Sequence, residues 1–191
     1  MHRKPSNLNL KMLNQAQSLC DFIGLRFFNP MSIRHIVYIL LLCFPLMAEE
    51  LCGLVVAVSD GDTIIVLDAQ KTQHKIRLDA IDAPERGQAF GTQARRYLAS
   101  LVGGHNVRIV SSGKDRYGRI LGTVFIGEKN INLMVVDAGY AWHYVQFAQN
   151  KLEYAAAEAR AKKARLGLWA DMVPPIPPWD YRKAKKNARQ Q

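Results

Sequence analysis

Residues 76–85 read IRLDAIDAPE and set one guanidinium, Arg77, within eight positions of three carboxylates, Asp79, Asp82 and Glu85, with Pro84 fixing the exit from a strand-like stretch. Two more acids, Asp60 and Asp62, stand upstream in SDGDT, and DRYGR at 115–119 adds Arg116, Tyr117 and Arg119. Oxygen donors without a neighbouring Cys or His suit a hard cation such as calcium or magnesium, not zinc or copper. Arginines suit a phosphorus centre that gathers negative charge, because each planar fork grips two oxygens at once. The chemistry this equipment could perform is attack of water on a phosphodiester, where positioning and charge stabilisation carry most of the rate. Each cluster also has a plainer reading. Asp60-Gly61-Asp62 can be a turn, Arg119 a hairpin-turn arginine, Tyr117 a core-edge tyrosine, and the decapeptide a solvated strand edge.

What decides between these readings is the set of elements that hold the residues. From Leu54 to Leu67 the chain is rich in β-branched residues interrupted at Asp60-Gly61-Asp62, which predicts two strand pieces around a bend. Asp68–Gln73 is a polar turn and His74–Ile81 a second strand. A turn centred near Thr72 pairs residues whose numbers sum to about 144 in antiparallel register, setting Asp62 opposite Asp82 with Glu85 just beyond. Ala94, Tyr97, Leu98 and Leu101 have helical spacing ahead of Gly103-Gly104. Strands are expected at 106–110 and 120–126, and helices at about 131–138 and 150–166. Five strands with a helix between the third and fourth, and about three helices in all, is the order of a small five-stranded Greek-key barrel of OB type, an α+β fold that is mainly β.

The whole chain has 191 residues, 49% of them hydrophobic and 22% charged, which suits one domain with tails. Its net charge of +10 favours a polyanionic partner. Residues 36–47, IVYILLLCFPLM, are too short to span a bilayer, but with Arg34 and His35 before them and Ala48 after them they predict a signal peptide at about 31–48, cut after Ala48. Met31 is then the expected start, and residues 1–48 comprise an upstream extension plus that peptide. Beyond residue 48, 21 basic and 15 acidic residues remain and Cys52 is the one cysteine, so no internal disulfide staples the exported domain. The five histidines show no ligand spacing. His143 and Tyr144 read as core or rim residues, with the second able to stack a base. The basic face of Arg160, Lys162, Lys163 and Arg165 reads as solvated. Four prolines between Pro174 and Pro178 predict that 172–191 is a semi-rigid, basic tail.

DGDT at 60–63, IRLDAIDAPE at 76–85 and DRYGR at 115–119, in that order and on those elements, resemble the staphylococcal nuclease (thermonuclease-like) family over about residues 53–170. The resemblance implies an OB-fold domain, here 49–171, that uses calcium to cut DNA and RNA. Carried over by position, Asp62 and Asp82 are metal carboxylates with the Ala83 carbonyl as a further ligand. Glu85 is the general base, Arg77 and Arg119 grip the reacting phosphate, and Arg116 and Tyr117 contact a neighbouring phosphate. Asp79 has no counterpart and is assigned to the surface. Two departures stand out: Ala83 replaces a threonine, and the loop after Glu85, RGQAFG, is short where well-known members carry a long basic one.

The sequence therefore predicts a secreted or periplasmic, monomeric, calcium-dependent endonuclease of low sequence specificity, with no membrane span after processing. The alternative is a non-catalytic OB module that binds nucleic acid or a protein partner. An envelope-anchored structural protein would rest on the leader alone.

Overall fold

The computed structural model describes residues 50–173 and 175–190. The expected extension and signal peptide at 1–48 lie outside them. β1 (Glu50–Asp60), β2 (Thr63–Leu67) and β3 (Gln73–Leu78) form an antiparallel meander, followed by the two-residue β4 (Ile81–Asp82) and the helix α1 (Gly91–Val102). β5 (Asn106–Lys114) joins the other edge of β1, and β6 (Ile120–Ile126) pairs with β5 and then, in parallel, with β3. That last pairing closes five strands into a barrel. The short β7 (Lys129–Asn130) extends the β6 edge and leads into α2 (Ile131–Asp137).

Side chains that alternate across the strands fill the interior: Ile64 and Val66, Ile76 and Leu78, Val107 and Ile109 are all buried. Each such aliphatic side chain contributes about 1.5–3 kcal/mol through burial. α1 turns Ala94, Leu98 and Val102 onto this core at helical spacing. Register shifts between Val55 and Ala57 and between Val58 and Asp60 bend β1 just before the acidic turn. After α2 come β8 (Trp142–His143), α3 (Val145–Ala148), α4 (Leu152–Lys163), a 3-10 turn (Gly167–Ala170) and α5 (Pro178–Ala188).

The OB-type barrel is as the element order predicts, and the three expected helices are α1, α2 and α4. Two features differ. The hairpin register sums to 140, with Thr63 opposite Arg77 and Leu67 opposite Gln73. The turn is centred near Gln70 because Asp68 accepts the Lys71 amide through its carbonyl and the Thr72 amide through its side chain, with Lys71 at a left-handed φ of 61°. Residues 178–188 are also helical where the prolines predict an irregular tail. Pro178 occupies the first helical position, where a missing N–H costs nothing and the fixed φ is already helical. Asp180 in the first turn and Lys185 and Lys186 in the last complement the helix dipole.

Candidate active site

Asp62 sits on the bend between β1 and β2. A Cβ on Gly61 would lie 2.7 Å from the Ala83 Cβ and 2.8 Å from the Ala94 Cβ, so only glycine lets this bend approach α1 and the loop that follows β4. The Asp62 carbonyl accepts the Leu78 amide at 2.8 Å, continuing the hairpin ladder. Its carboxylate accepts the Thr63 hydroxyl at 3.1 Å and the Ala83 amide at 2.8 Å. These bonds aim a nearly buried carboxylate.

Asp82 arrives by a different route from the one the sum rule implies, since Asp62 stands opposite Leu78 in the ladder. The chain turns at Asp79 and Ala80, the latter with φ 67°, and β4 then pairs with β8, Asp82 opposite Trp142. Asp79, assigned by sequence to the surface, secures this turn. Its carboxylate accepts the Ala80 amide at 2.7 Å and the Lys151 ammonium at 2.9 Å. The fully buried Asn132 donates to the carbonyls of Asp79 and Gly122 at 2.9 and 3.1 Å and accepts the Val124 amide at 3.0 Å. One side chain thus ties β6 to the turn that delivers Asp82.

Between the two aspartates lies Arg77, 12% exposed, with Nη2 donating to Asp82 Oδ1 at 2.6 Å. Nη1 meets Asp62 Oδ2 as an ion pair without hydrogen-bond alignment. Burial pushes the Arg77 pKa down, against the pull of Asp82 and Asp60. Arg119 immediately precedes β6, the strand that pairs in parallel with β3. It is held by Asp115, which accepts from its Nε and Nη2 at 2.7 Å each. Burial raises the Asp115 pKa, but the bonds from Arg119 and two turn amides outweigh it and leave the carboxyl below its ordinary value. Arg116 lies over the Tyr117 ring at 4.9 Å, and Tyr117 is exposed at the tip of this turn.

Glu85 lies beyond Pro84 on an exposed shoulder, fixed by the approach of Gly91, where a Cβ would strike the Glu85 carbonyl. Its carboxylate is not free. Arg182 of α5 donates from Nη1 to Glu85 Oε1 at 2.8 Å and from Nη2 to Asp82 Oδ2 at 2.7 Å. Partial burial opposes the Arg182 charge, yet the bonds to Asp82 and Glu85 raise its pKa above the ordinary arginine value. The helix that carries it is docked by Trp179, whose ring stacks on Tyr144 at 5.5 Å and meets Trp142 edge-on at 6.4 Å. Tyr181 adds a hydrogen bond to the Gly87 carbonyl at 3.0 Å. Tyr144 is therefore a rim residue. His143 is buried, with Nε2 against the Ala148 carbonyl at 2.9 Å.

A cavity of about 680 Å³ collects Asp62, Arg77, Ala83, Glu85, Arg116, Tyr117, Arg119 and Arg182 in its walls. Every predicted site residue except Asp82 lines it. Asp82 is completely buried behind Arg77 and Arg182. Among the described residues no three Cys, His, Asp or Glu side chains converge as metal ligands. Two carboxylates with a backbone carbonyl, the remaining positions filled by water and substrate, fit a hard dication, although Asp82 is now held by two guanidiniums. Arg182 is the site residue that sequence reasoning missed. Its signal was the stretch PPWDYRKAKK, with Pro at the first helical position and Trp179 and Arg182 three residues apart on one face.

A sequence model of the family described as "Staphylococcal nuclease homologue" matches residues 75–171. Over 132 residues the chain is 43% identical to an uncharacterized endonuclease of Haemophilus influenzae, covering 69% of this chain and 73% of that protein. A micrococcal nuclease of Shigella flexneri is 42% identical over 146 residues, covering 71% and 83%. Protein ParB of Escherichia coli is 40% identical over 152 residues, covering 73% and 84%. The closed barrel and these matches lead to one assignment: the fold is that of a nuclease, an endonuclease-type hydrolase, and the chain belongs to the staphylococcal nuclease family.

Proposed function

We propose that the protein is an exported, monomeric, calcium-dependent endonuclease that hydrolyses phosphodiester bonds of DNA and RNA with little sequence specificity. The observation that carries this reading is the convergence of Asp62, Arg77, Glu85 and Arg119 on one cavity, with Asp82 bridged to Asp62 through Arg77. Arg77 and Arg119 grip the non-bridging oxygens of the scissile phosphate and stabilise the charge that grows there. Glu85 accepts a proton from the attacking water. Arg116 and Tyr117 hold the neighbouring phosphate. Asp62, Asp82 and the Ala83 carbonyl would hold the metal, which when bound supplies Lewis-acid polarisation of the phosphate. Asp82 becomes available to it once Arg182 swings off Oδ2.

The test is cleavage of single-stranded DNA and RNA by the full chain with calcium, magnesium or EDTA in parallel. Calcium is expected to support cleavage and EDTA to abolish it, and Glu85→Gln is expected to lower kcat by about a hundredfold or more. DNA left intact in calcium, or cleavage indifferent to Glu85→Gln, would sink the proposal. The first outcome would favour a non-catalytic nucleic-acid-binding module, a reading supported by the engagement of Glu85 with Arg182. Export rests on the leader, and the mass of the protein recovered outside the cytoplasm tests it against the expected start at Glu49.

A further inference from the structure

The nuclease reading leaves α5 without a part beyond Arg182, and the helix is built for more than a strap. Arg182, Lys185, Lys186 and Arg189 recur at three- to four-residue spacing, so they share one face, and all four are exposed. With Tyr181 and Gln190 they line a second cavity of about 430 Å³ whose remaining wall is Glu85. Glu85 and Arg182 belong to both cavities, so the basic groove opens directly from the site where the phosphodiester would sit. Anchoring falls to the first turn of the helix, through Trp179 on Tyr144 and Trp142. Tyr181 is tied to the Gly87 carbonyl, and the Gln88 side chain bonds to the Ile176 carbonyl. The loop after Glu85 is thereby latched to the helix rather than extended into solvent. A row of exposed cations, continuous with an arginine-lined cleft, complements an extended polyanion.

We propose that α5 is a strand-guiding element: Lys185, Lys186 and Arg189 bind successive backbone phosphates of a single-stranded polynucleotide on the Glu85 side of the site, and Arg182 hands the strand to the cleavage centre. This rests on the nuclease reading for the direction of travel. The binding itself can be measured without cleavage. In this chain the groove takes the place of a long basic loop after Glu85.

The experiment is fluorescence-anisotropy titration of the full chain with a labelled single-stranded oligonucleotide, in EDTA, across a salt series. Three proteins are compared: wild type, the triple variant Lys185→Gln/Lys186→Gln/Arg189→Gln, and a charge-matched control, Lys162→Gln/Lys163→Gln/Arg165→Gln, on the basic face near α4. Loss of three phosphate contacts predicts about tenfold or more weaker binding at low salt and a log–log salt slope shallower by about 2. The control is expected to bind as wild type does, and Lys185→Arg/Lys186→Arg/Arg189→Lys to restore both affinity and slope. An unchanged slope in the α5 variant, or an equal loss in the control, overturns the proposal. So does loss of binding to phosphatidylglycerol vesicles with oligonucleotide binding intact, which would make the groove a membrane surface. A chain that binds through α5 yet cleaves nothing would defeat the nuclease reading and leave the groove standing.

Discussion

The β2–β3 hairpin and α5 grip the same carboxylate from opposite sides, and by opposite means. From the hairpin, Arg77 reaches Asp82 across five residues of sequence, nine-tenths shielded from solvent and wedged between two buried acids. From α5, Arg182 reaches it across one hundred residues, 41% exposed, on a helix docked by aromatic edges. Removing one member of a buried charge cluster strands its partners, whereas a solvated pair gives up little. The hairpin is therefore the fixed wall of the site and α5 the wall that can move.

Arg77→Ala is the sharpest blow to that contrast. It should raise the barrier to cleavage by about 3–4 kcal/mol through loss of a phosphate ligand. It should also destabilise the fold by about 3–5 kcal/mol, since Asp62 and Asp82 are left buried and facing one another. Arg119→Ala should show the kinetic loss with almost none of the unfolding loss, because Asp115 keeps its bonds from the backbone amides of residues 117 and 119. Equal effects on the denaturation midpoint of the two variants would break the comparison. Next comes Asn132→Ala. It orphans the Val124 amide and the Asp79 carbonyl and should lower stability by about 2–4 kcal/mol in urea unfolding. Activity should fall further than the unfolded fraction explains, because the turn that aims Asp82 loosens.

The movable wall makes a prediction of opposite sign. Arg182→Ala should leave the melting temperature nearly unchanged and tighten calcium binding by about tenfold, near 1.4 kcal/mol, in calorimetric titration. Under the proposed function, the guanidinium and the cation would compete for Asp82 Oδ2. Weaker binding in the variant would make Arg182 a support of the metal site instead of its rival. The smallest effect concerns the turn that carries Arg119. Asp115 has a folded pKa below its unfolded value of about 3.9, so its stabilisation is complete above that pH and fades as pH falls through the lower folded value. Asp115→Asn should cost less than about 1 kcal/mol at neutral pH, and the gap in melting temperature should close on acidification. A gap that widens in acid would reverse the sign.

The contrast also explains what could be read in advance. Asp62, Arg77, Asp82, Ala83 and Glu85 lie within 24 residues of one another on a hairpin and its exit, so strand periodicity and turn chemistry bring them near each other. Arg119 came from the resemblance, and the parallel β3–β6 pairing that sets the strand after it beside Arg77 has no local signature. The hairpin register differs from the expected one because Asp68 caps a turn centred two positions earlier than the polar run suggests, and Asp82 is delivered by a left-handed alanine that no pairing rule anticipates. Asp79 reads as a surface residue because its partner Lys151 lies 72 positions away, and Asn132 gives no signal because it serves backbone groups distant in sequence. Arg182 was hidden by prolines that read as a break in structure but in fact start a helix.

That parallel pairing has a kinetic side. Residues 76–78 pair with 120–122 across the intervening helix and strand, which makes barrel closure a contact of long sequence separation. The meander can zip locally and already hold Asp62 and Arg77 on its end, but Arg119 joins them only when the last seam shuts. On the proposed mechanism, a half-folded chain would have one jaw and no grip, and phosphodiester cleavage would report the closing of the barrel, not the formation of its first hairpin.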